Sequence, residues 1–399
     1  MCDYPNKNLS GAGIVYKFLK MIDDEMWIMG ADKYVDLLAL ALISDSMDIT
    51  DPETRYYIEI GLSNIRNKCF KALVQKRSYD IKGSVTMNDV SFYITPLINS
   101  IIRIGTQEEK TVLFNALIEN YMTFKYKKRG QDEIVDEPIY ERVARVATNI
   151  KSRQDNQIKK SLETIFEQVE KSGMNKNNII IVKGDKLDKS LTGIVAIKVA
   201  SKYGKPCLVL RKNENEDGSV TYSGSGRNID YNPIENLREF ISSTNLAKAE
   251  GHASAFGVME VNSKDVPKLI EIFNADDSLG EKVFWVDFIV PFEELTDAFI
   301  STINSLKSNW GMGIKEPVIC ITDIEVQREE IGVIGKNMNT IKISIDGMEF
   351  IKFNCDLTDH LVTNEKDTIR IDVVGRCSIN EWEGKQIPQI VISDYVVRE

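Results

Sequence analysis

"NIIIVKGD" (Asn178–Asp185), "SLTGIVAIKVASKYGK" (Ser190–Lys205) and "PCLVLRK" (Pro206–Lys212) set the architecture. Two short runs rich in β-branched residues flank a segment of helical character, and an order of strand, helix and strand argues for an α/β domain. Upstream, Pro138 opens a helical stretch that lasts to about Ser172, where Ile158, Leu162, Ile165, Phe166 and Val169 form one apolar stripe and Gly173 supplies the stop. This stretch reads as a connector between lobes.

The segment before it reads as helices. Ser10 caps "SGAGIVYKFLKMI" (Ser10–Ile22), and "YVDLLALALIS" (Tyr34–Ser44) is nearly continuous apolar, suited to a buried helix ending at "DSMDITDP" (Asp45–Pro52). Thr106 and Glu109 form a T-x-x-E capping box, which puts Arg103 on the turn before a helix N-terminus, a location that suits anions. Beyond the α/β domain, "PFEELTDAFISTINSLKS" (Pro291–Ser308) is helical, and then the character changes. "IKISIDGMEFIKF" (Ile341–Phe353) alternates apolar and polar residues around an Asp346-Gly347 turn, and short strands continue to Tyr395. A small β-barrel is the expected form of this tail.

The composition narrows the function classes. At 399 residues with 43% hydrophobic content the chain is globular and multidomain. It holds no run of eighteen uncharged apolar residues, and its start lacks signal-peptide character, so a soluble cytoplasmic protein without membrane partners is expected. The six cysteines stand far apart, which fits buried free thiols better than a zinc site or a disulfide framework. A net charge of −10 means that any polyanion is held by local clusters.

Three glycine-rich stretches supply candidates: "LTGIVA" (Leu191–Ala196), "SGSGRN" (Ser223–Asn228) and "EGHASAFG" (Glu250–Gly257). Glycines let backbone amides approach a phosphate, while Ser225 and Arg227 add a hydroxyl and a guanidinium fork. The same residues also suit a turn with a solvated arginine. Asp45 and Asp48 offer oxygen donors for a hard divalent cation, or form an ordinary solvated helix end. "FKYKKRG" (Phe124–Gly130) is basic with interleaved aromatics, a pattern that most often marks a solvated face.

The order of these signatures resembles the RecJ family of single-strand-specific DNA exonucleases, in the DHH and DHHA1 phosphoesterase superfamily. "YPNKNLSGAGIVYKF" (Tyr4–Phe18) looks like the family segment after the DHH motif, and "DLLALALISDSMDI" (Asp36–Ile49) is similar to a late metal-binding motif, which places Asp45 as a manganese ligand. "ITPLINSIIRIG" (Ile94–Gly105) resembles P-x-I-N-A-x-G-R-x-G and carries over Asn99 and Arg103. The three glycine-rich stretches resemble, in order, the DHHA1 signatures, with Glu250-Gly251-His252 in place of G-G-H. "WGMGIKEPV" (Trp310–Val318) and "INEWEGKQIPQIVISDY" (Ile379–Tyr395) look like the family's OB-type barrel.

The resemblance implies an α/β chain composed of the C-terminal part of a DHH domain (1–137), a connector helix (138–173), a DHHA1 α/β domain (174–278) and an OB-like nucleic-acid-binding domain (279–399). It implies 5′→3′ hydrolysis of single-stranded DNA in repair and recombination, with Mn2+ or Mg2+ as cofactor. His252 and Asp45 take catalytic places in this scheme. Arg103, Ser225, Gly226 and Arg227, with Asn99 and Gly251, hold the substrate and its terminal 5′ phosphate. Lys336, Lys342, Trp382 and Lys385 are candidate strand contacts on the barrel, although Trp382 equally suits packing beneath a strand.

One departure stands out: D-x-D and Asp-His-His occur nowhere in the sequence. Two-metal hydrolysis needs several carboxylates and imidazoles around two cations about 3.5–4 Å apart. The isolated chain is therefore expected to be inactive. Either a polypeptide carrying the DHH segment completes a split nuclease, or the chain binds single strands or proteins without cutting. A split is expected to leave apolar faces at Ile14, Phe18, Leu38 and Leu42 uncovered.

Overall fold

The computed structural model describes residues 4–81, 83–128, 130, 132–184, 187–214, 220–275, 279, 282–335, 337–355, 357–382 and 384–398, except for the side chain of Trp382. The chain divides into two compact units, each assembled from separate stretches. One comprises residues 68–76 and 94–284, the other residues 1–67, 77–93 and 285–399.

In the first unit an antiparallel hairpin of β1 (Thr123–Lys127) and β2 (Ile134–Pro138) leads into a helix from Ile139 to Ser172. Pro138 caps its start, and Gly173 ends it in the left-handed conformation (φ 69°), where glycine lacks the Cβ clash of other residues. A five-stranded sheet follows, made of β3 (Ile180–Lys183), β4 (Cys207–Glu214), β5 (Val220–Arg227), β6 (Lys248–Gly251) and β7 (Ala255–Asn262), in the order β3-β4-β5-β7-β6. β3 and β4 are parallel, joined by the helix Thr192–Tyr203, and the other pairs are antiparallel.

Both faces of this sheet are covered, which explains the unbroken apolar run of "NIIIV". Ile180, Val182, Cys207 and Val209 meet the Thr192–Tyr203 helix through Val195, Ala196 and Val199, and the long helix through Ile158, Ile165 and Val169. On the opposite face Ile181, Leu208 and Leu210 meet Leu237, Ile241, Leu269 and Phe273.

The second unit carries a seven-stranded sheet in the order β10-β11-β12-β14-β13-β9-β8. Its strands are β8 (Phe288–Pro291), β9 (Ile319–Gln327), β10 (Ile331–Ile334), β11 (Thr340–Ile345), β12 (Met348–Phe353), β13 (Thr368–Trp382) and β14 (Lys385–Arg398). Asp346 and Gly347 form the expected turn, both with positive φ (49° and 81°) as a tight two-residue hairpin requires. One core unites Ile321, Ile343, Phe350, Ile371 and Ile390 with Ile300, Ile303 and Trp310.

The same unit holds the helices Gly11–Met26, Val35–Ser44 and Pro52–Ser63. Ser10 caps the first through its side chain, as its sequence position suggests. Ile14 and Phe18 are exposed, whereas Leu38 and Leu42 are buried, contrary to expectation. The Pro52–Ser63 helix covers them. It packs so closely that a Cβ on Gly61 would lie 2.5 Å from the Val35 carbonyl oxygen. The helical part joins the sheet part through the Ile49 amide, which donates to Met312 O at 2.9 Å, and Arg55 Nη2, which donates to Asn309 Oδ1 at 3.0 Å.

The five cysteines among the described residues are free thiols, and burial raises the pKa of Cys69 to about 12. No helix among the described residues is long and apolar enough to cross a membrane.

Candidate anion-binding site

β5 ends in Gly224-Ser225-Gly226-Arg227, and strand alternation sends the two kinds of residue to opposite faces. Gly224 and Gly226 turn toward the Leu208–Leu210 side. A Cβ on Gly226 would lie 2.3 Å from the Phe256 ring, so a glycine is the residue that fits this closely packed strand. Ser225 and Arg227 turn toward the start of the Thr192–Tyr203 helix.

There Ser225 Oγ lies 2.8 Å from Thr192 Oγ1, and Thr192 Oγ1 donates to Lys189 O at 3.0 Å. Because the threonine hydroxyl has one proton and gives it to that carbonyl, the serine proton is the one shared between the two hydroxyls. Arg227 Nη1 donates to Gly226 O at 2.7 Å, which folds the half-buried guanidinium back over the strand end. Its Nη2 would lie only 2.5 Å from a Cβ at position 193, so it rests on the bare backbone of Gly193.

The second arginine arrives on the helix Thr95–Ile104, which packs near the turn Lys189–Leu191 and sets the half-buried Ile104 against the core beneath it. Asn99 and Arg103 are one helical turn apart on that helix and share a face. The capping box expected from Thr106 and Glu109 is formed directly after it. Burial, and then the charge of Arg103, lower the pKa of Arg227 from the usual guanidinium range. Among the described residues no carboxylate pairs with either arginine. Two cations within electrostatic range of each other, without a carboxylate partner among the described residues and with one of them at a helix start, suit an anion.

His252 occupies the three-residue turn between β6 and β7, exposed at the same end of the sheet as Arg227. Gly251 enters the turn at φ 130°, a conformation that L side chains rarely adopt. The turn is fastened by its backbone: His252 N donates to Ala255 O (3.0 Å), Asn228 N to Ser254 O (2.9 Å) and Arg238 N to Ala253 O (3.1 Å). The bond from Asn228 ties the histidine turn to the residue that follows Arg227. Arg103, Ser225, Gly226, Arg227 and the turn of Gly251 and His252 are thus anchored to one region of one unit. Thr192 and Gly193 belong to the same region; the sequence marks their stretch, "LTGIVA", but not the contacts the two residues make.

Asp45, in the other unit, is exposed and follows the last turn of the Val35–Ser44 helix, its amide donating to Ala41 O at 2.9 Å. Asp48 Oδ1 accepts from the hydroxyl (2.6 Å) and the amide (2.8 Å) of Thr50, and these bonds lower its pKa. Among the described residues no three His, Cys, Asp or Glu gather as a metal-binding group. This donor set does not fit a two-cation site by itself.

On the seven-stranded sheet Lys342 is committed to an ion pair with Glu349, whose Oε2 also accepts from Asn380 and Gln389 at 3.2 Å each. Lys385 is exposed at the start of β14. Lys336 and the side chain of Trp382 lie outside the described residues. The basic run at Phe124–Gly130 is also largely engaged: Lys125 pairs with Asp136 and Lys127 with Asp132, while the Arg142 guanidinium lies 4.3 Å from the Phe124 ring centre.

Comparison with known proteins sharpens this picture. Residues 286–394 match the family described as the RecJ OB domain. The chain is 35% identical over 401 residues to the SPβ-prophage-derived YorK of Bacillus subtilis, described as a single-strand DNA-specific exonuclease, covering 99% of this chain and 69% of that protein. It is 29% identical over 413 residues to the single-stranded-DNA-specific exonuclease RecJ of Bacillus subtilis, covering all of this chain and 48% of that one. Crystal structures of RecJ from Thermus thermophilus with Mn2+ and with Mg2+ share the fold, each with a TM-score of 0.70 at 17% identity. This chain is covered completely, against 54% and 57% of those chains.

Proposed function

The chain belongs to the RecJ family of single-strand-specific DNA exonucleases, and on that premise we propose that Arg103, Ser225 and Arg227 bind the terminal 5′ phosphate of a DNA strand. These 399 residues then supply the substrate-holding part of a 5′→3′ exonuclease. The observation that carries the proposal is that Ser225 and Arg227 both lie against the start of the Thr192–Tyr203 helix, with no carboxylate paired to Arg227 or Arg103 among the described residues. A terminal phosphate monoester carries about −1.5 to −2 charges near neutral pH, more than an internal diester, so such a pair selects a strand end. Polarity follows from counting inward from that end.

Gly251 allows close backbone approach, and Asn99 offers an amide from the Arg103 face, whereas Gly226 faces away from the arginines and serves the packing of the strand against Phe256. His252, on the adjoining turn, donates to a nonbridging phosphate oxygen as charge develops. The OB domain extends the grip along the strand, with Lys385 as an accessible contact and Lys342 engaged by Glu349. The carboxylates and imidazoles for Mn2+ or Mg2+ reside in a D-x-D and DHH segment that this sequence does not contain, and Asp45 adds one donor to them.

The test uses single-stranded DNA labelled at either end, with Mn2+, and the chain alone or together with a polypeptide bearing D-x-D and DHH. Expected are no digestion by the chain alone and, on addition, early release of the 5′-terminal nucleotide. Robust digestion by the chain alone, abolished by Asp45→Ala, overturns the assignment of the metal site. The absence of a three-donor metal cluster among the described residues favours a second reading, a binding subunit that does not cut. Undiminished binding with no digestion in the mixture would select it.

A further inference from the structure

The geometry points to Thr192 and Gly193 as the floor that positions Ser225 and Arg227, and so as determinants of selectivity for a terminal phosphate monoester. This inference rests on the terminal-phosphate reading of the site. Neither residue offers a charge, and neither need touch the ligand.

Gly193 acts through the atom it lacks. Arg227 Nη2 sits where a methyl at position 193 would come within 2.5 Å, closer than real Cβ contacts allow, and the guanidinium carbon would lie at 3.3 Å. Gly193 is the second residue of the Thr192–Tyr203 helix, and alanine is the better helix former there. Gly193→Ala therefore favours the helix while it pushes the far end of a flexible side chain off its seat. A bidentate fork depends on placement, so the displaced arginine loses the ligand while the fold remains.

Thr192 acts through its proton. In the structure it donates to Lys189 O and leaves its oxygen to Ser225. An arriving phosphate draws the Ser225 proton outward, and the Thr192 hydroxyl turns to donate to Ser225 Oγ, which polarises the serine toward the anion. No bond is made or broken in this exchange beyond hydrogen bonds. Valine at 192 keeps the shape and removes the swivel, whereas serine keeps it.

The test measures the affinity ratio between 5′-phosphorylated and 5′-hydroxyl oligonucleotides on the full chain by fluorescence anisotropy, for wild type and for Gly193→Ala, Thr192→Val, Thr192→Ser and Arg227→Ala. Circular dichroism and thermal melting confirm folding. Gly193→Ala is expected to lower the ratio about tenfold, close to Arg227→Ala, with an unchanged or higher melting temperature. Thr192→Val is expected to lower it about three- to tenfold, and Thr192→Ser to retain it. If Arg227→Ala lowers the ratio and neither Gly193→Ala nor Thr192→Val does, the floor is overturned and the terminal-phosphate reading stands. A ratio near one in wild type, or one that Arg227→Ala leaves intact, overturns both.

Discussion

Two regions of the molecule treat their positive charges in opposite ways. On the seven-stranded sheet Lys342, Lys352, Arg370, Arg376 and Arg398 each meet a carboxylate: Glu349, Asp359, Glu325, Glu316, and both Asp323 and Asp372. At the end of the five-stranded sheet the charge of Arg103 adds to burial in lowering the pKa of Arg227, and among the described residues neither arginine is paired with a carboxylate. A paired cation has its field cancelled at short range and contributes to the fold. An uncancelled cation costs stability until an anion arrives, which is why the proposed ligand is placed there.

The contrast breaks first at Arg227. Arg227→Ala should weaken 5′-phosphorylated oligonucleotides by about ten- to a hundredfold, the loss of a charge-assisted contact of roughly 1.5–3 kcal/mol, and leave 5′-hydroxyl ends within about threefold. Equal losses in anisotropy for both ends would reduce the arginine to a backbone contact. Lys342→Ala should do the reverse. It leaves the Glu349 carboxylate, only 6% exposed, with amide partners alone, so chemical denaturation should register a loss of about 1–3 kcal/mol with oligonucleotide affinity unchanged. A weakened affinity with full stability would move Lys342 to the strand-binding surface.

Acid sharpens the same contrast. Burial pushes the Glu349 carboxyl up, but hydrogen bonds from Lys342, Asn380 and Gln389 outweigh it and hold its pKa below the ordinary carboxylate range. Asp359 is held down in the same way, against burial, by Lys352 and Tyr395. A depressed folded pKa means stability that is present above the unfolded value of about 4 and lost as pH falls through the folded one. Melting of the chain between about pH 5 and 3 should show this decline, and Glu349→Gln should flatten it; an unchanged slope removes Glu349 from the account. The smallest effect belongs to Lys385. Lys385→Ala should reduce the slope of log affinity against log salt by about one at most, and no change in slope would remove it from the strand contacts.

The anion site was half legible. Gly-rich residues next to Ser225 and Arg227 advertise their chemistry locally, and the capping box marks the helix start after Arg103, although Arg103 itself lies in the last turn of the helix Thr95–Ile104 and not on a free turn. Thr192 does not advertise its chemistry, because its hydroxyl gains meaning only when packing brings it to a serine 33 residues away. The pairing of Lys342 with Glu349 was available in principle. A two-residue turn at Asp346-Gly347 sets the register of β11 and β12, which places the two on one face as diagonal neighbours. The burial of Leu38 and Leu42 was not, since the covering helix Pro52–Ser63 reads as a mixed segment with little apolar periodicity, and its close fit depends on Gly61.

The division of the chain also dictates an order of events during synthesis. Residues 1–67 and 77–93 belong with a partner stretch that starts at 285, so roughly 190 residues must be translated between the two parts of that unit. At about 5–20 residues per second the early helices wait on the order of ten to forty seconds for the strands that complete their unit. Over that interval Ile49 and its neighbours lack the Met312 segment that receives the Ile49 amide. The early helices are therefore the part of the nascent chain most in need of a holding chaperone, while the five-stranded sheet is free to form first.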